Sequence, residues 1–272
     1  MKQLYEDLWI STPEVTLNKH EPDLMMHGFL LQHLRGNILI SRVENPEDHD
    51  FIAERGGIIR HYLTHWHEAG PATHQLQCRF NSALYCHVRA IGHVSRYAEA
   101  DATFNSAEVH CGSFHVVPTP GHTPGSSSYL YASPYGKTYL FVGDTVTLSH
   151  QRWVTVRAAE SNTRALRQTL KFYRALRPDV VLMSTTVGRQ GWHEVDLRQW
   201  LALLDDAENN PIDLCLISAS NDGAKLNPAI TPPALIDIGL FNLHPAIHVS
   251  YFPIKIQVMA AGTACERFPK CA

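Results

Sequence analysis

Three short segments carry side chains able to hold a metal ion. Thr64-His65-Trp66-His67-Glu68-Ala69-Gly70 offers two imidazoles, and Pro120-Gly121-His122-Thr123-Pro124-Gly125 offers a third. Leu140-Phe141-Val142-Gly143-Asp144-Thr145 adds a carboxylate just past an apolar run. Neutral imidazole nitrogen and carboxylate oxygen suit zinc, and iron or manganese could replace it at such a set. On an extended segment, side chains two apart share a face, so His65 and His67 are expected to point together and Glu68 away from them. Pro120 and Pro124 stiffen the loop around His122, and the flanking glycines open it. Three protein ligands leave a fourth tetrahedral position for water, whereas four close the shell. Each segment alone has a plainer reading: a structural histidine pair, a tight turn, and Asp144 as a cap before Thr145. Their order, each following a strand, joins them.

The elements that must position these residues alternate strand and helix up to about residue 207. Gly28–His33 and Asn37–Val43 read as a hairpin around Leu34-Arg35-Gly36. A helix is expected over Asp48–Arg55, ended by Gly56-Gly57, then a buried strand over Ile58–Leu63 that delivers His65. Helices are expected over Pro71–Gln77 and Val88–Ala98, with a strand over Ala83–His87 between them. Strands follow at Glu108–His110, Ser113–Val117, Ser127–Tyr131 and Thr138–Val142, so the His122 segment is an interstrand loop. Apolar residues at helical spacing predict a helix over Asn162–Leu176, then a strand over Asp179–Met183 and a helix over Val195–Ala207. This is an α/β pattern. The reading divides the chain into a domain over 1–207 and a Pro-rich C-terminal appendage over 208–272. The appendage is a candidate subunit contact, which leaves a homo-oligomer open.

Bulk properties exclude several classes. The 272 residues are 44% hydrophobic and 18% charged with a formal net charge of −3, so no basic field attracts nucleic acid. No apolar run of about 18 residues marks a membrane span, and the first residues lack the apolar core of a secretory signal. None of the six cysteines is paired at the two-residue gap of a metal knuckle or redox dithiol. Reduced thiols and a cytoplasmic protein acting on a small-molecule substrate are the expectation.

With these motifs quoted, the chain resembles the metallo-β-lactamase-fold hydrolase superfamily, which includes glyoxalase II-like thioesterases, lactonases, β-lactamases and phosphodiesterases. The family carries Thr-His-x-His-x-Asp-His, Pro-Gly-His-Thr-Pro-Gly, Gly-Asp and a late histidine, and the match spans about residues 25 to 205. The resemblance implies a four-layer αββα sandwich. It implies His65, His67 and His122 as ligands of one metal and Asp144 as a ligand or catalytic carboxylate. It also implies that the second metal site is degenerate. Ala69 and Gly70 stand where the family has Asp and His, and Leu182-Met183-Ser184-Thr185 stands at the late histidine. His74 and His193 are the remaining candidate substitutes. A mononuclear zinc hydrolase of esters, thioesters or lactones is the expected function. A fold retained for a structural or binding role is the alternative.

Overall fold

The computed structural model describes residues 1–16, 21, 23–188 and 190–213. Two mixed sheets face each other. The first runs Lys2–Tyr5, Leu8–Ile10, Phe29–Leu31, Ile38–Ile40, Arg60–Tyr62, Ala83–His87 and Ala102–Phe104, so spatial order follows sequence. Its pairings are antiparallel up to Ile38–Ile40 and parallel beyond. The second runs Glu108–His110, Phe114–Pro118, Ser127–Ala132, Thr138–Gly143, Val180–Met183 and Trp192–Glu194. Only its pairing of Thr138–Gly143 with Val180–Met183 is parallel. Two three-stranded ribbons join Val146–Ser149, Arg152–Arg157 and Pro211–Asp213, and Thr185–Val187, Leu24–Met26 and Glu14–Val15.

The helices are α1 (Pro46–Glu54), α2 (Pro71–Phe80), α3 (Ile91–Val94), α4 (Thr163–Arg174) and α5 (Leu197–Asn209). Each of the longer ones starts on a local signal. Asn45 accepts from the Glu47 amide with Pro46 following, and Asn162 accepts from the Ala165 amide. Asp196 and Gln199 form a reciprocal capping box.

Strand periodicity builds the layers. In the first sheet Phe29, Leu31, Ile38 and Ile40 face the second sheet, while Leu30 and Leu39 pack outward with Ile52 of α1 and Leu76 of α2. In the second sheet Tyr139, Phe141, Val180 and Leu182 face inward, while Leu140, Val142, Val181 and Met183 meet Leu170 and Tyr173 of α4 and Trp200 and Leu204 of α5. Strands covered on both faces need near-continuous apolar sequence, which these have. The result is the expected αββα sandwich.

Several local expectations are corrected. His65 is extended, at φ −162 and ψ 171, but Trp66–Glu68 is a 3-10 turn, so alternation of side chains stops at His65. The helix expected over Val88–Ala98 is a 3-10 turn, Val88–Ala90, followed by the single turn of α3, which contains Gly92. Cys86 and Cys111 are free. Of the appendage read over 208–272, residues from 214 on lie outside the described ones. Pro211–Asp213 pairs parallel to Arg152–Arg157 at a ribbon edge, where a proline removes no ladder bond. Among the described residues no helix is long and apolar enough to cross a membrane.

Gly143 joins the two sheets at the point where the candidate residues emerge. Its φ is +60, and a Cβ there would lie 2.4 Å from Thr64 Oγ1. Gly143→Ala combines left-handed strain with a clash. It is expected to lower stability by about 2–4 kcal/mol in urea unfolding.

Two histidines are held neutral by burial. His61 donates through Nε2 to the Ser41 carbonyl at 2.7 Å, and His27 Nε2 pairs with Thr186 Oγ1 at 2.8 Å. Desolvation pushes both down to about 4. Unfolded histidine titrates near 6.5, so between that pH and about 4 the unfolded state binds protons the native state refuses. Stability is therefore complete above about pH 6.5 and falls on acidification, by up to about 1.4 kcal/mol per pH unit for each group. Urea unfolding at pH 7 and pH 5, with chelator present, measures this loss.

Candidate metal centre

The four predicted residues come together. His65 leaves the Arg60–Tyr62 strand, and Asp144 leaves the end of Thr138–Gly143. The His122 loop is fixed to α4 and its approach. Thr169 Oγ1 donates to the Pro120 carbonyl at 2.8 Å, Ser161 Oγ to the His122 carbonyl at 2.6 Å, and the Asn162 amide to the Gly121 carbonyl at 2.8 Å. Gly121 has φ +154, and a Cβ there would lie 2.6 Å from Leu166 Cα. The first loop is fastened to the second sheet by the Ser127 amide on the Thr64 carbonyl at 2.7 Å and by Tyr129 OH on the Leu63 carbonyl at 2.5 Å.

The hydrogen bonds settle which nitrogen of each ring faces inward. His122 Nδ1 lies 3.0 Å from the Val156 carbonyl, which only accepts, so Nδ1 carries the proton and Nε2 a lone pair. His67 Nε2 lies 2.8 Å from Glu160 Oε1, so Nε2 donates and Nδ1 faces His122 Nε2. Thr64 Oγ1 donates to Glu68 Oε1 at 2.6 Å and is 2.9 Å from His65 Nδ1. Its one proton is used on Glu68, so His65 Nδ1 donates to Thr64 and Nε2 keeps its lone pair.

The three free nitrogens face each other and a carboxylate. One ligand atom from each of His65, His67 and His122 lies within 4.8 Å of the others. His67 Nδ1 and His122 Nε2 are 3.2 Å apart, and Asp144 Oδ2 lies 3.3 Å from His65 Nε2 and 3.8 Å from His122 Nε2. Thr185 Oγ1 donates to the other oxygen, Oδ1, at 2.9 Å and so turns Oδ2 toward the imidazoles. His65 Nε2 is buried with no hydrogen-bond partner. Three imidazole nitrogens and one carboxylate oxygen converge, a donor set that a divalent cation fits.

The electrostatics agree. Burial alone would raise the Asp144 carboxyl, but His65, His122 and Thr185 reverse this and hold it well below the usual carboxylate range. Burial lowers His122 to about 3, with His65 and His67 adding to the effect, so its ring stays neutral and able to ligate. For His65 burial pulls down, but the Asp144 carboxylate outweighs it and the pKa is raised. That ring attracts a cation of some kind, proton or metal, beside Asp144. Burial would raise Glu160, and its hydrogen bond with His67 brings it below the ordinary value.

The 3-10 turn overturns the expectation that Glu68 points away. Its carboxylate folds back to accept from the Thr64 amide and hydroxyl, 3.6 Å from His65 Nδ1. Thr185 stands where the resemblance places a histidine, and it orients Asp144 instead. His74 and His193 do not join the cluster. His74 approaches Cys78, and the His193 ring packs edge-on against Trp153. Trp66 stacks on His93 with centroids 4.3 Å apart. Sequence reasoning missed Glu160, which sits in the irregular Ala158–Asn162 approach to α4, where no motif or periodicity marks it.

A family model described as the metallo-beta-lactamase superfamily matches residues 48–185, a span that contains all four residues. Solved structures share the architecture. A metallo-beta-lactamase from Pontibacter korlensis is 18% identical with a TM-score of 0.59, covering 75% of this chain and 98% of that one. One from Erythrobacter litoralis is 15% identical with a TM-score of 0.56, covering 75% and 95%. One from Cronobacter sakazakii with a HARLDQ motif is 15% identical with a TM-score of 0.52, covering 67% and 79%. At these identities the likeness establishes the fold. No curated protein matches the chain.

Glu160→Gln removes the charge that fixes His67 with Nδ1 free. Metal affinity is expected to fall about 10–100-fold in competition with a chelator, with Glu160→Asp less affected. An unchanged affinity in Glu160→Gln would contradict the assigned tautomer.

Proposed function

The chain belongs to the metallo-beta-lactamase superfamily, and from that premise we propose that it is a hydrolase using a single zinc ion to cleave an ester, thioester or lactone. The observation that carries this reading is the convergence of three imidazole nitrogens and Asp144 Oδ2 on one point. Zinc is the proposed ion because the donor set is three neutral imidazoles and one carboxylate; iron or manganese accept the same set.

When bound, such an ion supplies Lewis acidity toward a carbonyl oxygen and activates water near neutral pH. The chain's own residues supply the rest. His65, His67 and His122 would hold the ion, each fixed through its outer nitrogen by Thr64, Glu160 and the Val156 carbonyl. Asp144, anionic and turned by Thr185, would orient the attacking water through Oδ2. The site is proposed to be mononuclear because Ala69 and Gly70 carry no donor side chain and the Thr185 hydroxyl is committed to Asp144. A glyoxalase II-like thioesterase falls within this substrate range.

A second reading rests on those same three positions. A fold that has lost half of a two-metal shell fits a structural or binding role, with the histidines holding a structural zinc or no metal.

Metal analysis of protein purified without chelator separates the readings. The proposal expects near one zinc per chain, its loss in His122→Ala, and zinc-dependent hydrolysis on a panel of thioesters, lactones and esters that His122→Ala abolishes. Stoichiometric zinc without turnover favours the structural role, and protein that takes up no metal removes the enzyme reading and leaves the structural or binding role.

A further inference from the structure

Glu68 is a buried carboxylate to which the proposed chemistry gives no task. It closes the 3-10 turn Trp66–Glu68, and its side chain is 1% exposed. Among the described residues no lysine or arginine pairs with it, and its one ionisable neighbour within ion-pair reach is His65, whose Nδ1 lies 3.6 Å from Oε1. Arg42 feels its charge without forming an ion pair with it. Burying an anion this way is costly. Packing alone would be met as well by a neutral side chain of the same shape.

What the charge secures is the direction of a hydrogen-bond chain. Oε2 accepts from the Thr64 amide at 2.6 Å, and Oε1 accepts from Thr64 Oγ1 at 2.6 Å. A carboxylate only accepts, so the single proton of the Thr64 hydroxyl goes to it. Thr64 Oγ1 then meets His65 Nδ1, 2.9 Å away, as an acceptor. The ring proton is thereby held on Nδ1, and Nε2 is the nitrogen that lies 3.3 Å from Asp144 Oδ2. Thr64, His65 and Glu68 are each buried, so bulk water does not stand in for any of the three.

We propose that Glu68 is a positioning residue that fixes the tautomer of His65 through the Thr64 hydroxyl, so that Nδ1 keeps the ring proton and Nε2 is left to the metal. This rests on His65 being a metal ligand and not on which bond the protein hydrolyses. Glutamine shows why the acid is required. The Thr64 amide only donates, so it holds the glutamine oxygen at the Oε2 position and places the NH2 group at the Oε1 position. That group donates to Thr64 Oγ1, which leaves the hydroxyl proton without an acceptor unless it turns to His65 Nδ1. The ring proton then sits on Nε2, where a metal must displace it. Exchanging one oxygen for NH2 reverses two hydrogen bonds and withdraws a ligand.

The test uses the full chain labelled with nitrogen-15 histidine, metal-free and zinc-loaded, at one fixed pH above neutrality. Wild-type His65 is expected to keep its proton on Nδ1 in both states. Glu68→Gln is expected to move that proton to Nε2 in the metal-free protein and to weaken zinc binding about 10–100-fold in chelator competition. Glu68→Asp, shorter but still acceptor-only, should keep Nδ1 protonated and bind zinc more tightly than Glu68→Gln. A packing role predicts the reverse order, because glutamine is the closer match in shape. Thr64→Val, which removes the hydroxyl, should weaken zinc binding where Thr64→Ser does not. Equal zinc affinities in those two variants overturn the inference even if Glu68→Gln fails to fold. So does wild-type His65 with an unprotonated Nδ1, or folded Glu68→Gln that keeps the proton on Nδ1. A tautomer that follows Glu68 in protein that turns over no ester, thioester or lactone supports the positioning role and overturns the hydrolase reading alone.

Discussion

Electron pairs cannot crowd together without a cation to share. His122, His67 and His65 each commit their outer nitrogen as a donor, to the Val156 carbonyl, Glu160 and Thr64 respectively. The inner nitrogens are therefore acceptors, and Asp144 Oδ2 faces two of them within 3.8 Å. A buried carboxylate beside three imidazoles attracts a divalent ion. The hydrogen bonds around the rings therefore matter as much as the rings themselves.

The sandwich supplies the rigidity this needs. The two sheets meet at Gly143 and Thr64, where the absence of a Cβ brings the carboxylate-bearing strand against the histidine-bearing loop. The His122 loop is tied to α4 and its approach by three hydrogen bonds to consecutive carbonyls, Pro120 to His122. The four ligands leave three segments, with His65 and His67 sharing one, and each segment is anchored to the core. Metal affinity is in this sense prepaid by apolar packing that lies away from the site.

Much of this was legible in the sequence, for definite reasons. Runs such as Tyr139–Val142 and Val180–Met183 are apolar on both faces because helices and a facing sheet cover them, and such runs announce themselves. The Pro-Gly-His-Thr-Pro-Gly segment marks a loop by composition alone. The turn at Trp66–Glu68 was not legible, because nothing local opposes continued extension, and the Glu68 bonds to Thr64 that accompany the turn appear only in three dimensions. Glu160 was invisible because its partner His67 lies 93 positions away in the numbering and depends on the fold to meet it. The strands Leu8–Ile10 and Arg152–Arg157 are short or carry charged ends, which weakens their pattern.

The central claim is that one ion draws on three inner nitrogens whose outer partners stay protonated. Nitrogen-15 NMR of histidine-labelled protein during zinc titration tests it most directly. The account predicts that His65 Nε2, His67 Nδ1 and His122 Nε2 shift to metal-bound values and saturate at one equivalent, while His65 Nδ1, His67 Nε2 and His122 Nδ1 keep their protons. Zinc that leaves these nitrogens unmoved, or saturation only at two equivalents, would contradict it.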